Sequence, residues 1–296
     1  MAIIWERNDA LNINPPTGDS RLSANGSDWL YTVTAIFTVS LIAFIALQYR
    51  ARAGERFFHY LFIVANFVGV IAYFAMASDL AFSAIQQADQ VGRSGAVRQI
   101  FWAKYVFWVV AFPAVLLALG ILSGISWASV VFNVALSWIW IISYLVAAFT
   151  ATGYKWGFFA FGTVAYILLA VSTLTDGLKG ADRAGVKRDY LALAGWLNLL
   201  WLLYPIAWAL SDGGNYIGVT AGFIWFGILD ILLLTGIGFA VLFFARRWDY
   251  GRLNIAFTQY GRVPAREGTF PEKHAAAPPP AATPAAPAAP VGEAAV

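Results

Sequence analysis

The stretch IGVTAGFIWFGILDILLLTGIGFAVLFFA, residues 217–245, decides the fold class. A helix that crosses a bilayer needs about 20 mostly apolar residues, and this stretch is longer than that. Its only ionisable side chain is Asp230, in the segment LDILLLT. A lone carboxylate in hydrocarbon is costly, so Asp230 needs a partner or a function. Four residues later, on the same helix face, stands the apolar residue Leu234.

Six more stretches of this kind precede it, at 28–49, 57–83, 100–122, 126–150, 156–175 and 190–210. The chain is 60% hydrophobic and 12% charged, whereas soluble domains are about 45–50% apolar and about 25% charged. We therefore predict an all-α membrane protein, a bundle of seven transmembrane helices. Its parts are an N-terminal segment 1–27, a seven-helix domain 28–245 and a tail 246–296, in which the Ala/Pro-rich part from about residue 275 is predicted to be disordered.

The basic residues outside the spans predict the orientation of the chain. Most Lys and Arg residues lie after spans 1, 5 and 7, and such residues favour the cytoplasmic side. We expect an extracellular N-terminus and a cytoplasmic C-terminus, with the sequon at Asn25 outside. The net charge of +3 therefore reflects topology and does not indicate nucleic-acid binding. The absence of cysteine excludes disulfides and thiol catalysis, and the two widely separated histidines form no metal site.

Two ionisable residues stand out deep inside the predicted spans, Lys104 in span 3 and Asp230 in span 7. Both are placed toward the outer half of their helices. Because pairing offsets part of the desolvation cost of each charge, we predict a Lys104–Asp230 ion pair, direct or through water. The alternative is that Lys104 extends toward the outer surface and that tyrosine hydroxyls alone hold Asp230.

The segments WAKYVFWVVAFP, from residue 102, and WLLYPIAW, from residue 201, resemble the third-helix and sixth-helix signatures of microbial rhodopsins. The matching positions are Tyr73, Trp102, Tyr105, Trp108, Pro113, Trp201, Tyr204, Pro205, Trp208 and Asp230. The resemblance covers about residues 28–245. It implies the seven-helix fold of that family, with Asp230 at the position of a counterion aspartate.

Several positions depart from the family pattern. The lysine that binds retinal as an imine is replaced by Leu234, which has no amine. The proton acceptor of the pumps is replaced by Phe107, their proton donor by Ala118, and a conserved arginine of the family by Lys104. We therefore expect no retinal and no light-driven proton transport.

Trp140 and Tyr144 stand where retinal-binding members carry smaller or more flexible residues, and their rings would fill the space of the chromophore. An aromatic stripe at helical spacing usually serves packing, which leads to the same expectation. The predicted remnant of the retinal pocket consists of Tyr73, Trp102, Tyr105, Phe107, Trp108, Trp140, Tyr144, Trp201, Tyr204, Pro205, Trp208, Asp230 and Leu234.

The pattern is similar to that of fungal opsin-related proteins of the heat-shock type. That resemblance implies a stress-associated, non-enzymatic and non-photoreceptive protein of the plasma membrane. It also implies a membrane protein partner such as the plasma-membrane proton pump, and homo-oligomers like those of opsin relatives. Besides the lipid bilayer, no partner is indicated by the residues themselves.

Three other functions stay open. The protein could use Lys104, on a different helix, for photochemistry, although nucleophile placement is demanding. It could conduct ions, which requires a continuous polar path that the cytoplasmic halves of spans 3 and 7 lack. It could also bind an apolar ligand, such as a sterol or carotenoid, in the remnant pocket or on the outer face of the helices.

Overall fold

The computed structural model describes residues 8–51, 56–89, 97–250 and 253. Seven of its helices are long and apolar enough to cross a membrane, which confirms the predicted fold class and makes the chain an integral membrane protein. They are α1 Ala24–Arg50, α2 Phe57–Ala77, α3 Ala103–Ser123, α4 Trp127–Phe149, α5 Lys155–Ala184, α6 Lys187–Gly213 and α7 Val219–Ala245. A one-turn helix, Ala10–Ile13, precedes them.

Short connections set neighbouring spans antiparallel. The α3–α4 link turns at Gly124, which has a φ of +65°, and Ser126 then caps α4 by accepting a hydrogen bond from the Ser129 N–H. Gly185, with a φ of +77°, ends α5 in the same left-handed conformation just before α6 begins. Most residues of α3 are buried inside the protein, whereas in each of the other six spans half of the residues or fewer are buried. Helix α3 therefore lies at the centre of the bundle.

Span 2 is shorter than predicted, because it ends at Ala77 and not at residue 83. Asp79 and Ala81 have φ values of +54° and +60°, which break the helix. The apolar run that follows forms strand β1, Phe82–Gln86, which pairs antiparallel with β2, Val97–Phe101. Residues 80–85 are mostly apolar, and composition alone does not separate a short strand of this kind from the end of a helix, so the hairpin was not predicted.

The other boundaries shift by smaller amounts. Helix α1 begins at Ala24, so exposed Asn25 lies in its first turn and not in the preceding segment. Helix α5 continues to Ala184, so much of the loop predicted after residue 175 is helical. The predicted tail is described only through residue 250 and at residue 253, and its Ala/Pro-rich part lies outside the described residues.

Three spans contain π-helical turns, namely Thr173–Gly177 in α5, Ala209–Gly213 in α6 and Ile231–Gly236 in α7. Such turns re-aim side chains and are frequent at functional sites. The turn in α6 contains Asp212, and the turn in α7 directly follows Asp230 and contains Leu234. Two of the three π-turns therefore lie at the carboxylates Asp212 and Asp230, which organise the centre of the protein.

Candidate functional site

Asp230 is fully buried and is held by three neutral donors. The Tyr73 hydroxyl of α2 donates to Oδ2 at 2.5 Å, and the Tyr204 hydroxyl of α6 donates to Oδ1 at 2.6 Å. The indole Nε1 of Trp108, from α3, donates to Oδ1 at 2.9 Å. Four helices thus meet at one carboxylate, and both of its oxygens accept hydrogen bonds from groups that carry no charge.

A second buried carboxylate, Asp212, forms ion pairs with two cationic side chains, Lys104 and Arg98. The Lys104 ammonium contacts its Oδ2, and the Tyr105 hydroxyl donates to the same oxygen at 2.9 Å. On the other side, Arg98 Nε lies 3.4 Å from Oδ1. Each charged side chain of this group is at least 95% buried, so the cluster is an ion pair network inside the bundle.

The β-hairpin and the start of α5 extend this network toward the end of the bundle that carries the hairpin. Fully buried Lys155, the first residue of α5, donates to the main-chain carbonyl of Asp212 at 2.9 Å and to Gln87 Oε1 at 3.1 Å. Arg98, from β2, donates to Asn215 Oδ1 at 2.9 Å. The missed hairpin therefore supplies one cation of the network and one of its acceptors.

The predicted Lys104–Asp230 ion pair is wrong in its partner. Lys104 pairs with Asp212, and Asp230 is held by tyrosine hydroxyls together with an indole. Span 6 was predicted to end at residue 210, which left Asp212 in a loop, where a carboxylate is solvated. In the structure the π-turn continues α6 through Gly213 and directs Asp212 inward. The sequence did contain a signal for this pair: Asp212 lies just beyond the predicted end of span 6, at about the same depth as Lys104 in span 3.

Aromatic rings fill the middle of the bundle where the remnant pocket was predicted. The ring centroids of Trp140 and Trp201 lie 5.8 Å apart, and those of Tyr144 and Trp208 lie 5.1 Å apart. The remaining cavity has a volume of about 10 Å³ and is lined by Trp108, Phe112, Trp140, Ile141, Tyr144 and Tyr204. One water needs about 10–15 Å³ and a typical small-molecule site about 300–1,000 Å³. The space that is left therefore suits one water at most.

The remaining predicted pocket residues take different positions. Phe107 packs against Phe37 and Tyr73, with both centroid distances at 5.8 Å, and Leu234 and Pro205 are buried. Trp102 does not belong to the pocket, because it is 43% exposed and lines an outward-facing groove. The sequence match aligned Trp102 with a pocket position of the family. It could not predict the direction of a side chain at the very start of a helix.

Tyr105 turns away from the pocket toward Asp212, and the indole of Trp208 donates to its hydroxyl at 2.8 Å. Phe112 was missed, although its ring lies 5.3 Å from those of Trp140, Trp201 and Tyr204. It follows Trp108 by four residues on α3, and this spacing was the signal that could have identified it.

Asp79, beyond the end of α2, is a buried carboxylate with an incomplete set of partners. It is 1% exposed, and its Oδ1 accepts a hydrogen bond from Gln99 Nε2 at 2.6 Å. Its Oδ2 has no hydrogen-bond partner within the described part of the chain. Burial raises the pKa of Asp79 from its ordinary value of 3.8 to about 6, against the hydrogen bond from Gln99, which lowers it.

We expect Asp79→Asn to raise the melting temperature at pH 7 by about 2–4 °C, the shift that corresponds to about 1 kcal/mol. Between pH 4 and 6 the folded protein keeps a proton on Asp79 that the unfolded chain has released, so stability falls as pH rises through this window. An amide cannot ionise, and asparagine also tolerates the positive φ of this position. Between pH 4 and 8, the melting temperature of the variant should depend less on pH than that of the wild type. The same pH dependence in both proteins would contradict this.

A profile of the family described as "Bacteriorhodopsin-like protein" matches residues 25–250 of this chain. The protein FDD123 of Trametes versicolor is 38% identical over 255 residues, which cover 86% of this chain and 89% of that protein. The 30 kDa heat shock protein of Saccharomyces cerevisiae is 29% identical over 255 residues, covering 78% of this chain and 76% of that protein.

Among solved structures, the light-driven proton pump CsR of Coccomyxa subellipsoidea has a TM-score of 0.73 and 28% identity with this chain. The alignment covers 76% of this chain and 98% of the pump. The family match covers the seven membrane-length helices and the two central carboxylates, Asp212 and Asp230. The chain therefore belongs to the bacteriorhodopsin-like family, among its fungal opsin-related members of the heat-shock type.

Proposed function

We propose that this protein is a retinal-free opsin relative that acts as a stress-associated regulator or chaperone-like partner of another membrane protein. Its place would be the plasma membrane, with the N-terminus outside and the C-terminus in the cytoplasm. The observation that carries the proposal is the pair of changes at the centre of the bundle. Leu234 provides no amine at the attachment position, and aromatic rings leave a central cavity of only about 10 Å³.

Each of the two changes acts against the chromophore separately. Imine formation requires an amine nucleophile next to the aldehyde, and Leu234 is a fully buried hydrocarbon. A polyene also needs a long empty slot between the helices, whereas here Phe112 and Trp140 lie in ring contact at 5.3 Å. Moving these rings would break a close-packed interior, which is energetically costly.

The positions that would move protons are apolar as well. Phe107 packs between Phe37 and Tyr73, and Ala118 is buried in α3. Neither side chain accepts or releases a proton, so neither of these two positions can relay one. Photochemistry through Lys104 is disfavoured too, because its side-chain nitrogen is held in an ion pair with Asp212.

The regulatory role is supported by the heat-shock relative and by the close packing of the centre. The cavity among the central aromatic rings measures only about 10 Å³, so the outer surface is the part available to partners. That surface presents large apolar side chains from several helices, such as Phe67, Val131 and Phe161, each more than half exposed. Helices of this kind associate with other spans through close packing in the bilayer.

A second candidate function is the binding of an apolar ligand such as a sterol. An open groove with a volume of about 490 Å³ lies on the outer surface of α4 beside the start of α3, lined by Trp102, Leu145, Val146, Phe149 and Thr150. Native mass spectrometry of the purified protein would test this candidate, because a bound ligand should appear as a discrete mass that Leu145→Trp removes.

We expect neither the wild-type protein nor Leu234→Lys to form a visible pigment with all-trans-retinal. Leu234→Lys restores the amine, but the aromatic rings still occupy the space that the chromophore would need. The matched variant combines Leu234→Lys with Trp140→Leu and Tyr144→Gly, which adds space beside the same amine. Absorption spectra before and after borohydride reduction provide the measurement. A visible band in the wild-type protein that reduces to a lysine adduct would contradict the proposal.

Proximity labelling in the native host, with and without heat stress, tests the regulatory role. The labelling enzyme should be fused to the C-terminus, and a control fusion should use an unrelated plasma-membrane protein of the same topology and abundance. We expect the plasma-membrane proton pump to be enriched over the control under stress. Equal labelling by both fusions would exclude the pump as the partner.

A further inference from the structure

A cavity with a basic lining lies between α1, α2 and α7, at the end of the bundle opposite the β-hairpin. It opens to the surface and has a volume of about 260 Å³. Its polar lining consists of Arg50, His59, Arg246 and Tyr250, and its apolar lining includes Leu47 and Leu242. Among the described residues that line it, none is acidic.

The charges around this cavity come from helix ends. Arg50 is the last residue of α1, and Arg246 directly follows α7. Both arginines are exposed and can adjust to a ligand, whereas His59 in the first turn of α2 is only 8% exposed. The N-terminus of α2 adds a partial positive charge, and its capping residue Arg56 makes no side-chain capping hydrogen bond.

This arrangement favours a group with several acceptor oxygens and a negative charge. Guanidinium groups bind phosphate oxygens in a fork geometry through charge-assisted hydrogen bonds. A volume of about 260 Å³ is below that of a typical drug-sized pocket. It is large enough for a phosphate together with its glycerol or a polar substituent.

The position of the cavity identifies the source of the phosphate. It lies where α1 ends and α7 ends, which is the level of lipid headgroups. Toward the middle of the bilayer, Phe239 is 36% exposed and stacks on Phe44 of α1 at 4.5 Å, and Phe243 is 53% exposed. The Arg247 guanidinium lies 5.2 Å from the Phe243 ring. An apolar surface therefore continues from the basic cavity along the lipid-facing side of α7.

We infer that this cavity binds the phosphate of an anionic membrane phospholipid, with the acyl chains along the α1–α7 surface. The arginines and the positive end of α2 hold the headgroup, and the exposed phenylalanines contact the chains. This site is independent of the central carboxylates and of any partner protein.

The test uses the full chain reconstituted in nanodiscs of phosphatidylcholine containing a minor fraction of phosphatidylinositol, followed by native mass spectrometry. Wild-type protein should retain phosphatidylinositol under conditions that strip phosphatidylcholine. Arg50→Gln/Arg246→Gln should reduce this retention about tenfold or more, since each arginine contributes charge-assisted hydrogen bonds. Arg246→Gln alone should give a smaller loss. The matched control is Lys179→Gln/Arg183→Gln, which removes two exposed charges from α5 at the same end of the bundle.

Melting in pure phosphatidylcholine nanodiscs should be the same for all variants, which shows that they fold. Equal loss of phosphatidylinositol in the control and in the arginine variant would overturn the site, because it would reflect general attraction to basic residues. No retention by the wild type would overturn it as well. If inorganic phosphate or glycerol 3-phosphate raised the melting temperature of the wild type as much as phosphatidylinositol does, the site would bind soluble phosphates and the lipid assignment would be wrong.

Discussion

Asp212→Ala is expected to cost about 3–5 kcal/mol of folding free energy, the cost of removing one partner from a buried ion pair. The substitution leaves the Lys104 ammonium and the Arg98 guanidinium buried without their carboxylate. It also removes the acceptor of the Tyr105 hydroxyl. The loss should appear as a lower melting temperature in detergent, which the fluorescence of the 13 tryptophans can follow, and as a lower yield of folded protein.

The surface pair Lys187–Asp182 is the matched control for this prediction. Its atoms lie 3.4 Å apart, but both side chains are more than half exposed. Asp182→Ala should therefore cost less than about 1 kcal/mol. Similar losses for Asp182→Ala and Asp212→Ala would contradict the assignment of the buried network as a structural ion pair.

A double-mutant cycle separates the two carboxylates as partners of Lys104. Lys104→Met and Asp212→Asn should be strongly non-additive, with a coupling of about 1–3 kcal/mol, because residues in one ion pair share the interaction that each substitution removes. Lys104→Met and Asp230→Asn should be close to additive, since Asp230 is held by neutral donors. A larger coupling to Asp230 would restore the pair that the sequence suggested.

Asp230→Leu is the second substitution with a large expected effect. It leaves the hydroxyls of Tyr73 and Tyr204 and the indole of Trp108 without their acceptor. A buried donor that loses its partner costs about 1–3 kcal/mol, so the variant should lose at least about 3 kcal/mol in total. Asp230→Asn should lose less, because an amide oxygen still accepts and a tyrosine hydroxyl can accept in turn from the amide nitrogen.

Removing the orphaned hydroxyls tests this explanation. Tyr73→Phe/Tyr204→Phe in the Asp230→Leu background should recover part of the lost stability. These changes remove both hydroxyls, so that only the Trp108 indole still lacks a hydrogen-bond acceptor. The matched control is Tyr190→Phe in the same background, because that hydroxyl donates to the Thr173 carbonyl and not to Asp230. If both sets of substitutions changed the melting temperature equally, the hydrogen bonds to Asp230 would not be the cause.

The sequence alone determined the fold class and the residue types at the centre. Seven apolar stretches admit only helices in a bilayer, because every main-chain polar group in lipid needs an internal partner. The absence of an amine at Leu234 is likewise a property of the residue itself and needs no coordinates. The aromatic residues Trp140 and Tyr144 were also predicted to occupy the centre, and the structure places both there.

Only the tertiary structure decided which charges meet and where the helices end. Lys104 pairs with Asp212 because a π-turn carries α6 past residue 210 and aims the carboxylate inward. The hairpin at Phe82–Gln86 depends on its partner strand Val97–Phe101, and so no local pattern could separate it from a longer α2. Periodicity and composition report the local environment of a chain, whereas ion pairs and strand pairs join residues that are distant in sequence, and their geometry follows from packing.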